Sequence, residues 1–137
     1  MGFNIFKILT PKDQTVFLPS NLTLIDALSR FDLYKFSILP MLDETGGYCS
    51  TISEGDLLRY IKNDCEFSLE RIVDHYLMEV PVYRPYKPVK INASLEEVYQ
   101  LILEQNFVPV LDDRDKFIGI IKRKDFLVME REAIENN

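Results

Sequence analysis

Two short stretches carry the residues best suited to chemistry, Ser53-Glu54-Gly55-Asp56 and Lys122-Arg123-Lys124-Asp125. In the first, a hydroxyl three residues ahead of a carboxylate has the form of a helix start. A serine N-cap accepts from a backbone N–H and the acid answers back, a capping box worth about 1 kcal/mol with no ligand present. In the second, lysine stands where the hydroxyl was. A cation cannot accept a hydrogen bond, yet three cations at a helix start in an acidic chain suit a phosphate as well as they suit solvent. Asp125 in the first turn also complements the helix dipole, by about 0.3 to 1 kcal/mol. Catalysis has no footing: there is no nucleophile motif, no P-loop, no dinucleotide-binding fingerprint and a single histidine, His75. Cys49 and Cys65 have neither metal-ligand spacing nor the look of a disulfide framework and read as free thiols.

Both stretches end a longer segment that the chain contains twice. Pro40, Leu42, Asp43, Tyr48, Ile52, Asp56 and Leu58 recur as Pro109, Leu111, Asp112, Phe117, Ile121, Asp125 and Leu127, each displaced by 69 positions (109 − 40, 125 − 56) without a gap. A fixed offset sustained in this way marks a tandem duplication.

The elements that must position these residues follow from periodicity and punctuation. Val16-Phe17-Leu18 and Val89-Lys90-Ile91 read as short strands. Helix spacing follows each, through Leu24, Ala27, Leu28 and Phe31 in the first copy and Val98, Leu101 and Ile102 in the second. Asn21 is the candidate cap of the first helix, and Ser94-Leu95-Glu96-Glu97 has capping-box form for the second. The offset here is 73 (89 − 16), so the second copy is four residues shorter before Pro109, about one helical turn. Residues 36–42 and 108–111 read as buried strands, 43–47 and 112–115 as hairpin turns, and 48–52 and 117–121 as return strands, each followed by a helix. The order per copy is strand, helix, strand, strand, helix.

An apolar lead over residues 5–9 ends at Thr10-Pro11 and is echoed over residues 76–81. Leu69, Ile72, Val73 and Tyr76 predict a linker helix docked on the core, and Pro81, Pro85 and Pro88 an extended connector. The chain thus divides into a first copy over residues 5–66, a linker and connector over 67–88 and a second copy over 89–132. Phe31, Phe36, Phe107, Tyr83 and Tyr86 read as core or interface, and His75 and the cysteines as packing residues.

At 137 residues, two halves of this size must share a core, because units of about 60 residues bury too little surface alone. Apolar residues at 47% and charged residues at 28% are ordinary globular values. The net charge of −6 argues against nucleic-acid binding through phosphate neutralisation. No apolar run has the length of a membrane span, and Met1–Phe6 resembles neither a signal peptide nor a myristoylation site, so a soluble, cytoplasmic protein is expected.

With Pro40-Met41-Leu42-Asp43 and Ser53–Leu58 answered by Pro109-Val110-Leu111-Asp112 and Gly119–Leu127, the chain resembles the CBS domain over roughly residues 5 to 130. The resemblance implies an α/β (α+β) fold of tandem CBS repeats packed about a pseudo-twofold axis as a Bateman module. It also implies adenosine nucleotides in the clefts between repeats. The family's Gly-x-x-Thr-x-x-Asp pattern implies ligand contacts at Ser53 and Asp56 in the first copy and at Asp125 in the second. Backbone contacts to the base are implied near Phe17, Leu18, Ile38 and Leu39, and near Lys90, Ile91 and Val108. Two positions depart from the pattern: Ser50 replaces the glycine that the second copy keeps as Gly119, and Lys122 replaces the hydroxyl. The run Lys122-Arg123-Lys124 is similar to the basic segment of small stand-alone CBS proteins that bind cyclic di-AMP.

The expected function is therefore a regulatory, non-catalytic sensor of an adenine nucleotide (AMP, ADP, ATP or cyclic di-AMP). It would act on an unknown protein partner, with the helices after Asp56 and Asp125 joining two copies in a homodimer. The alternative is a structural dimerisation module without a nucleotide. The differing cap positions imply that the two sites are not equivalent, with the second favouring more phosphate charge.

Overall fold

A computed structural model describes residues 3–136. Met1, Gly2 and Asn137 lie outside it, and with them part of the amino-terminal targeting reading. A 3-10 turn at Ile5–Lys7 leads into β1 (Leu9–Pro11). The first copy then runs β2 (Leu18–Pro19), α1 (Leu24–Tyr34), β3 (Ile38–Leu42), β4 (Tyr48–Ser53) and α2 (Glu54–Asn63). After α3 (Leu69–Ile72) and a 3-10 turn at Leu77–Glu79, the second runs β5 (Val89–Lys90), α4 (Leu95–Ile102), β6 (Phe107–Leu111), β7 (Phe117–Lys122) and α5 (Arg123–Glu135). The element order expected from the repeat is present in both copies.

Two compact units result. One is Val16–Pro85; the other joins the residues up to Thr15 with the chain from Tyr86 onward. The units therefore do not coincide with the sequence copies, since the amino-terminal lead packs with the second. In the Val16–Pro85 unit the sheet order is β2-β3-β4, with β2 parallel and β4 antiparallel to β3. Leu18, Leu24, Phe31, Ile52 and Leu57 form its core, with Leu77 and Val80 packed in from the far side of the linker. In the other unit β5, β6 and β7 repeat that arrangement, and β1 adds a fourth, antiparallel strand on β7. Ile5, Val98, Val108, Ile121 and Phe126 are buried there. Each hairpin carries an irregularity at the same place, between Met41 and Leu42 and between Val110 and Leu111.

The fourth strand explains why one copy keeps its glycine. Gly119 pairs with Pro11 at φ 152°, and a Cβ there would lie 2.2 Å from the Thr10 carbonyl oxygen. No residue but glycine tolerates both the conformation and the approach. In the first copy, residues 81–83 stand where β1 would be echoed and form no strand. The 3-10 turns at Ile5–Lys7 and Leu77–Glu79 correspond, which sets Pro81 at the place of Leu9; it has no N–H to give a ladder, so Ser50 meets no such constraint.

Some local expectations need correction. Asn21 does not cap α1: a turn closed by the Leu22 N–H on the Pro19 carbonyl (3.3 Å) delays the helix, and Thr23 accepts from the Asp26 N–H at 3.1 Å. Asn21 donates instead to Glu44 at 3.3 Å. The first strand of that copy starts at Leu18 rather than Val16. The linker helix is a single turn, and of its apolar stripe only Ile72 packs on the core. Its continuation is diverted because residues 75–77 pair with residues 22–24, the Leu24 N–H reaching the His75 carbonyl at 2.9 Å and the Leu77 N–H the Leu22 carbonyl at 2.8 Å. Phe31 and Phe107 are core residues, with Tyr86 edge-on to Phe107, whereas Phe36 and Tyr83 are exposed. The four-residue deficit falls largely in the helix: α1 has 11 residues and α4 has 8.

Candidate functional site

The second strand of each hairpin ends on the residue that starts the last helix, so the duplicated carboxylates occupy matching places in their own units. In the first copy Ser53, extended at φ −111° and ψ 160°, accepts from the Asp56 N–H at 3.1 Å, and Asp56 accepts from the Ser53 N–H at 2.9 Å. The predicted capping box is complete. Asp56 does more than cap: it is 5% exposed and also accepts from the Tyr83 N–H (3.1 Å), with the Arg59 guanidinium at 3.5 Å. A buried carboxylate with this set of donors has little capacity left for a ligand.

In the second copy Lys122 has cap geometry, φ −79° and ψ 142°, without a capping side chain. The first N–H of α5, on Arg123, donates to the Asn106 carbonyl at 3.1 Å, as that of α2 does to Ser37 at 3.0 Å. The third, on Asp125, lacks the hydroxyl that Ser53 supplies to Asp56. The Asp125 carboxylate is partly buried and, among the described residues, has no hydrogen bond or ion pair; the same holds for the ammonium groups of Lys122 and Lys124. This helix start keeps open backbone donors, a free carboxylate and two free cations, a set suited to a sugar hydroxyl pair beside a phosphate.

Arg123 belongs to the framework. Its Nε donates to the Ile102 carbonyl at 3.0 Å and its Nη2 to the Gln105 carbonyl at 2.9 Å, closing the end of α4. The buried Gln105 side chain in turn accepts from the Lys87 N–H at 2.8 Å and donates to the Lys87 and Phe107 carbonyls. Of the basic run, Arg123 is thus engaged with the chain, and the Lys122 and Lys124 ammonium groups are left open.

The other expected contact positions lie on the strands. Leu18, Leu39 and Val108 have their side chains in the cores, leaving only backbone to offer, while Phe17 and Ile38 are partly buried. Ile38 lies opposite Ser53, and Phe107 opposite Lys122. Lys90 pairs with Leu111 at the other end of β6, about 13 Å along the strand from Phe107. Its ammonium is ion-paired with Asp115, and Ile91 beside it is exposed. Lys90 and Ile91 are therefore not brought to the start of α5.

Asp125, Val128, Met129 and Glu132 form one face of α5 and, with Lys7, Ile8 and Leu9, line a concavity of about 460 Å³. Lys7 was not singled out by sequence; its only signal was the apolar lead around it, which gave no reason to pair residue 7 with residue 125. Neither cysteine is activated: burial pushes both thiols up, and Asp43 beside Cys49 pushes it further.

The chain matches the CBS domain family model over residues 7–63 and 77–131, and it belongs to that family. No curated protein matches it. Among solved structures, CbpB of Listeria monocytogenes in complex with c-di-AMP is similar at 20% identity and a TM-score of 0.84, over 98% of this chain and 100% of that one. A hypothetical conserved protein of Geobacillus kaustophilus has 23% identity and a TM-score of 0.83, covering 97% and 99%. The CBS-pair protein CBSX2 of Arabidopsis thaliana, in complex with AMP, has 23% identity and a TM-score of 0.72, covering 98% of each chain. At these identities the likeness establishes tandem CBS repeats. Among the described residues no helix is long and apolar enough to cross a membrane.

Proposed function

We propose that the protein is a regulatory binding module, without catalysis of its own, for a phosphorylated adenosine ligand held at the start of α5. The observation that carries this reading is the free Asp125 carboxylate on an uncapped helix start flanked by two free lysines. An ionised carboxylate can accept from both ribose hydroxyls, and the open N–H groups and lysines suit the phosphate. The complexes of similar proteins with c-di-AMP and AMP support an adenine nucleotide as the class. Such a module works in the cytoplasm by changing its hold on a protein partner or its own assembly. Exposed Leu58 on α2 and Leu127 on α5 support a symmetric homodimer through these helices; light scattering showing only a 16.0 kDa species at micromolar concentration would refute that part.

Titration calorimetry with AMP, ADP, ATP, cyclic di-AMP and adenosine tests the reading. Asp125→Ala should weaken the tightest of these by roughly ten- to a hundredfold, the loss of a charge-assisted bond of about 1.5 to 3 kcal/mol. Lys122→Ala with Lys124→Ala should weaken the phosphorylated ligands and spare adenosine. A wild-type protein that binds none of them, and gains no melting temperature from them, is the structural module instead.

A further inference from the structure

The segment from Lys62 to Glu79 turns apolar side chains outward to an extent that the core does not require. Phe67, Leu69 and Met78 are 61%, 68% and 64% exposed, and Val73 and Tyr76 are also open. Leu69 and Val73, four residues apart, are neighbours on the α3 turn and stay exposed, while Ile72 beside them packs on the core. Scattered exposed apolar residues are ordinary; five within the twelve residues from Phe67 to Met78 are a local concentration of them.

The backbone holds this surface out. Glu66 and Phe67 are both left-handed, at φ 51° and 57°, a conformation that bulky side chains avoid. They are kept there by the Phe67 N–H on the Ile61 carbonyl (3.0 Å) and the Ser68 N–H on the carbonyl of fully buried Cys65 (2.8 Å). Strain of this kind persists where the surroundings impose it and is concentrated at sites that bind. The surface is also charged in one sense. Asp64, Glu66, Glu70, Asp74 and Glu79 stand against Lys62 and Arg71, a net −3 within a chain of net −6, and Arg71 is ion-paired with Glu66 at 2.9 Å. The Glu79 carboxyl is held below the usual range by the Tyr76 N–H, so it is ionised at neutral pH.

We propose that residues 62–79 form a docking surface for a basic amphipathic helix of another protein, with leucine-type side chains against Phe67, Leu69 and Val73 and cations against the acidic rim. Opposite charge around an apolar centre steers association and selects the partner's sign, while the aromatic and aliphatic centre supplies the affinity.

The test is fluorescence anisotropy of the full chain with a labelled peptide of leucine and lysine, its leucines at i, i+3, i+4 and i+7, against a twin with glutamate for lysine. The lysine peptide should bind saturably and more weakly as salt rises; the glutamate twin should not bind. Leu69→Ser with Val73→Ser, both exposed and so not needed for folding, should weaken binding by about tenfold or more, as should Phe67→Asn, which suits the left-handed backbone. Leu33→Ser on α1, an equally exposed leucine, should leave it unchanged, with circular dichroism confirming the fold of each variant. Absence of saturable binding, or equal binding by the Leu69/Val73 variant, overturns the proposal. So does a wild-type dimer that dissociates in that variant, since the occupant would then be a second copy. None of these outcomes depends on nucleotide binding.

Discussion

The starts of α2 and α5 descend from one duplicated segment and have come to opposite states. At α2 a serine cap, a buried aspartate, the Tyr83 N–H and Arg59 satisfy one another. At α5 the cap is a lysine, the aspartate has no partner among the described residues, and the nearest arginine is turned back onto α4. The difference reaches beyond the two stretches. Tyr83 can donate to Asp56 because residues 81–83 pass as coil, whereas the equivalent place in the other unit is β1, hydrogen-bonded to β7 and ending in Pro11, which has no N–H. A carboxylate completed by its own chain supports structure; one left open can respond to a ligand.

The largest effect should come from breaking the closed site. Asp56→Ala strands two backbone donors and should destabilise the protein by about 3 kcal/mol, whereas Asp125→Ala should cost less than about 1 kcal/mol, the worth of an acid at a helix start. Urea denaturation measures both, and equal losses would erase the contrast. Next comes the glycine that β1 requires. Gly119→Ser should destabilise by about 2 kcal/mol through strain and collision with Thr10, while Ser50→Gly should change stability by about 0.5 to 1 kcal/mol at most. If Gly119→Ser is silent, β1 does not lie on β7 as described.

Much of this organisation is legible in the sequence because it is local. The offset of 69 places both hairpins and both last helices, and Ser53-x-x-Asp56 and Ser94-x-x-Glu97 announce caps that form as written. What is not legible depends on where distant segments return. Nothing in residues 5–11 says that they join the second copy, so neither the need for Gly119 nor the presence of Lys7 in the concavity that Asp125 lines can be read from spacing. The linker stripe fails for the same reason: its period is helical, but pairing of residues 75–77 with residues 22–24 stops the helix after one turn. Arg123 shows the limit most sharply. Within a run of three cations, only the tertiary position of the α4 carbonyls distinguishes the one that braces the fold from the two left free.

That distinction predicts a smaller effect. Arg123→Ala removes two charge-assisted bonds to carbonyls at the end of α4 and should cost about 1.5 kcal/mol after partial replacement by water. It should lower the melting temperature without discriminating adenosine from its phosphates. If it instead abolishes only phosphate binding, Arg123 turns from α4 to the ligand and the assignment of Lys122 and Lys124 must be revised.

The smallest expected effect is the most direct test of the comparison, because it rebuilds one site in the image of the other. Lys122→Ser places a hydroxyl at a residue that already has N-cap geometry, three positions ahead of Asp125, and so restores the pattern that closes α2. An N-cap serine is worth about 1 kcal/mol, so the variant should be more stable than the wild type by about that amount. The same change removes one of the two cations free to face a phosphate, so affinity for phosphorylated adenosine should fall severalfold while that for adenosine does not. Stability by urea denaturation and affinity by calorimetry read the two consequences separately. A protein no more stable than wild type would mean that the start of α5 is already capped in solution, and undiminished phosphate affinity would place the phosphate away from Lys122. Both results together would remove the distinction between the closed and the open copy, since the uncapped helix and the free lysines, with the free carboxylate, are the basis for assigning the ligand to the second.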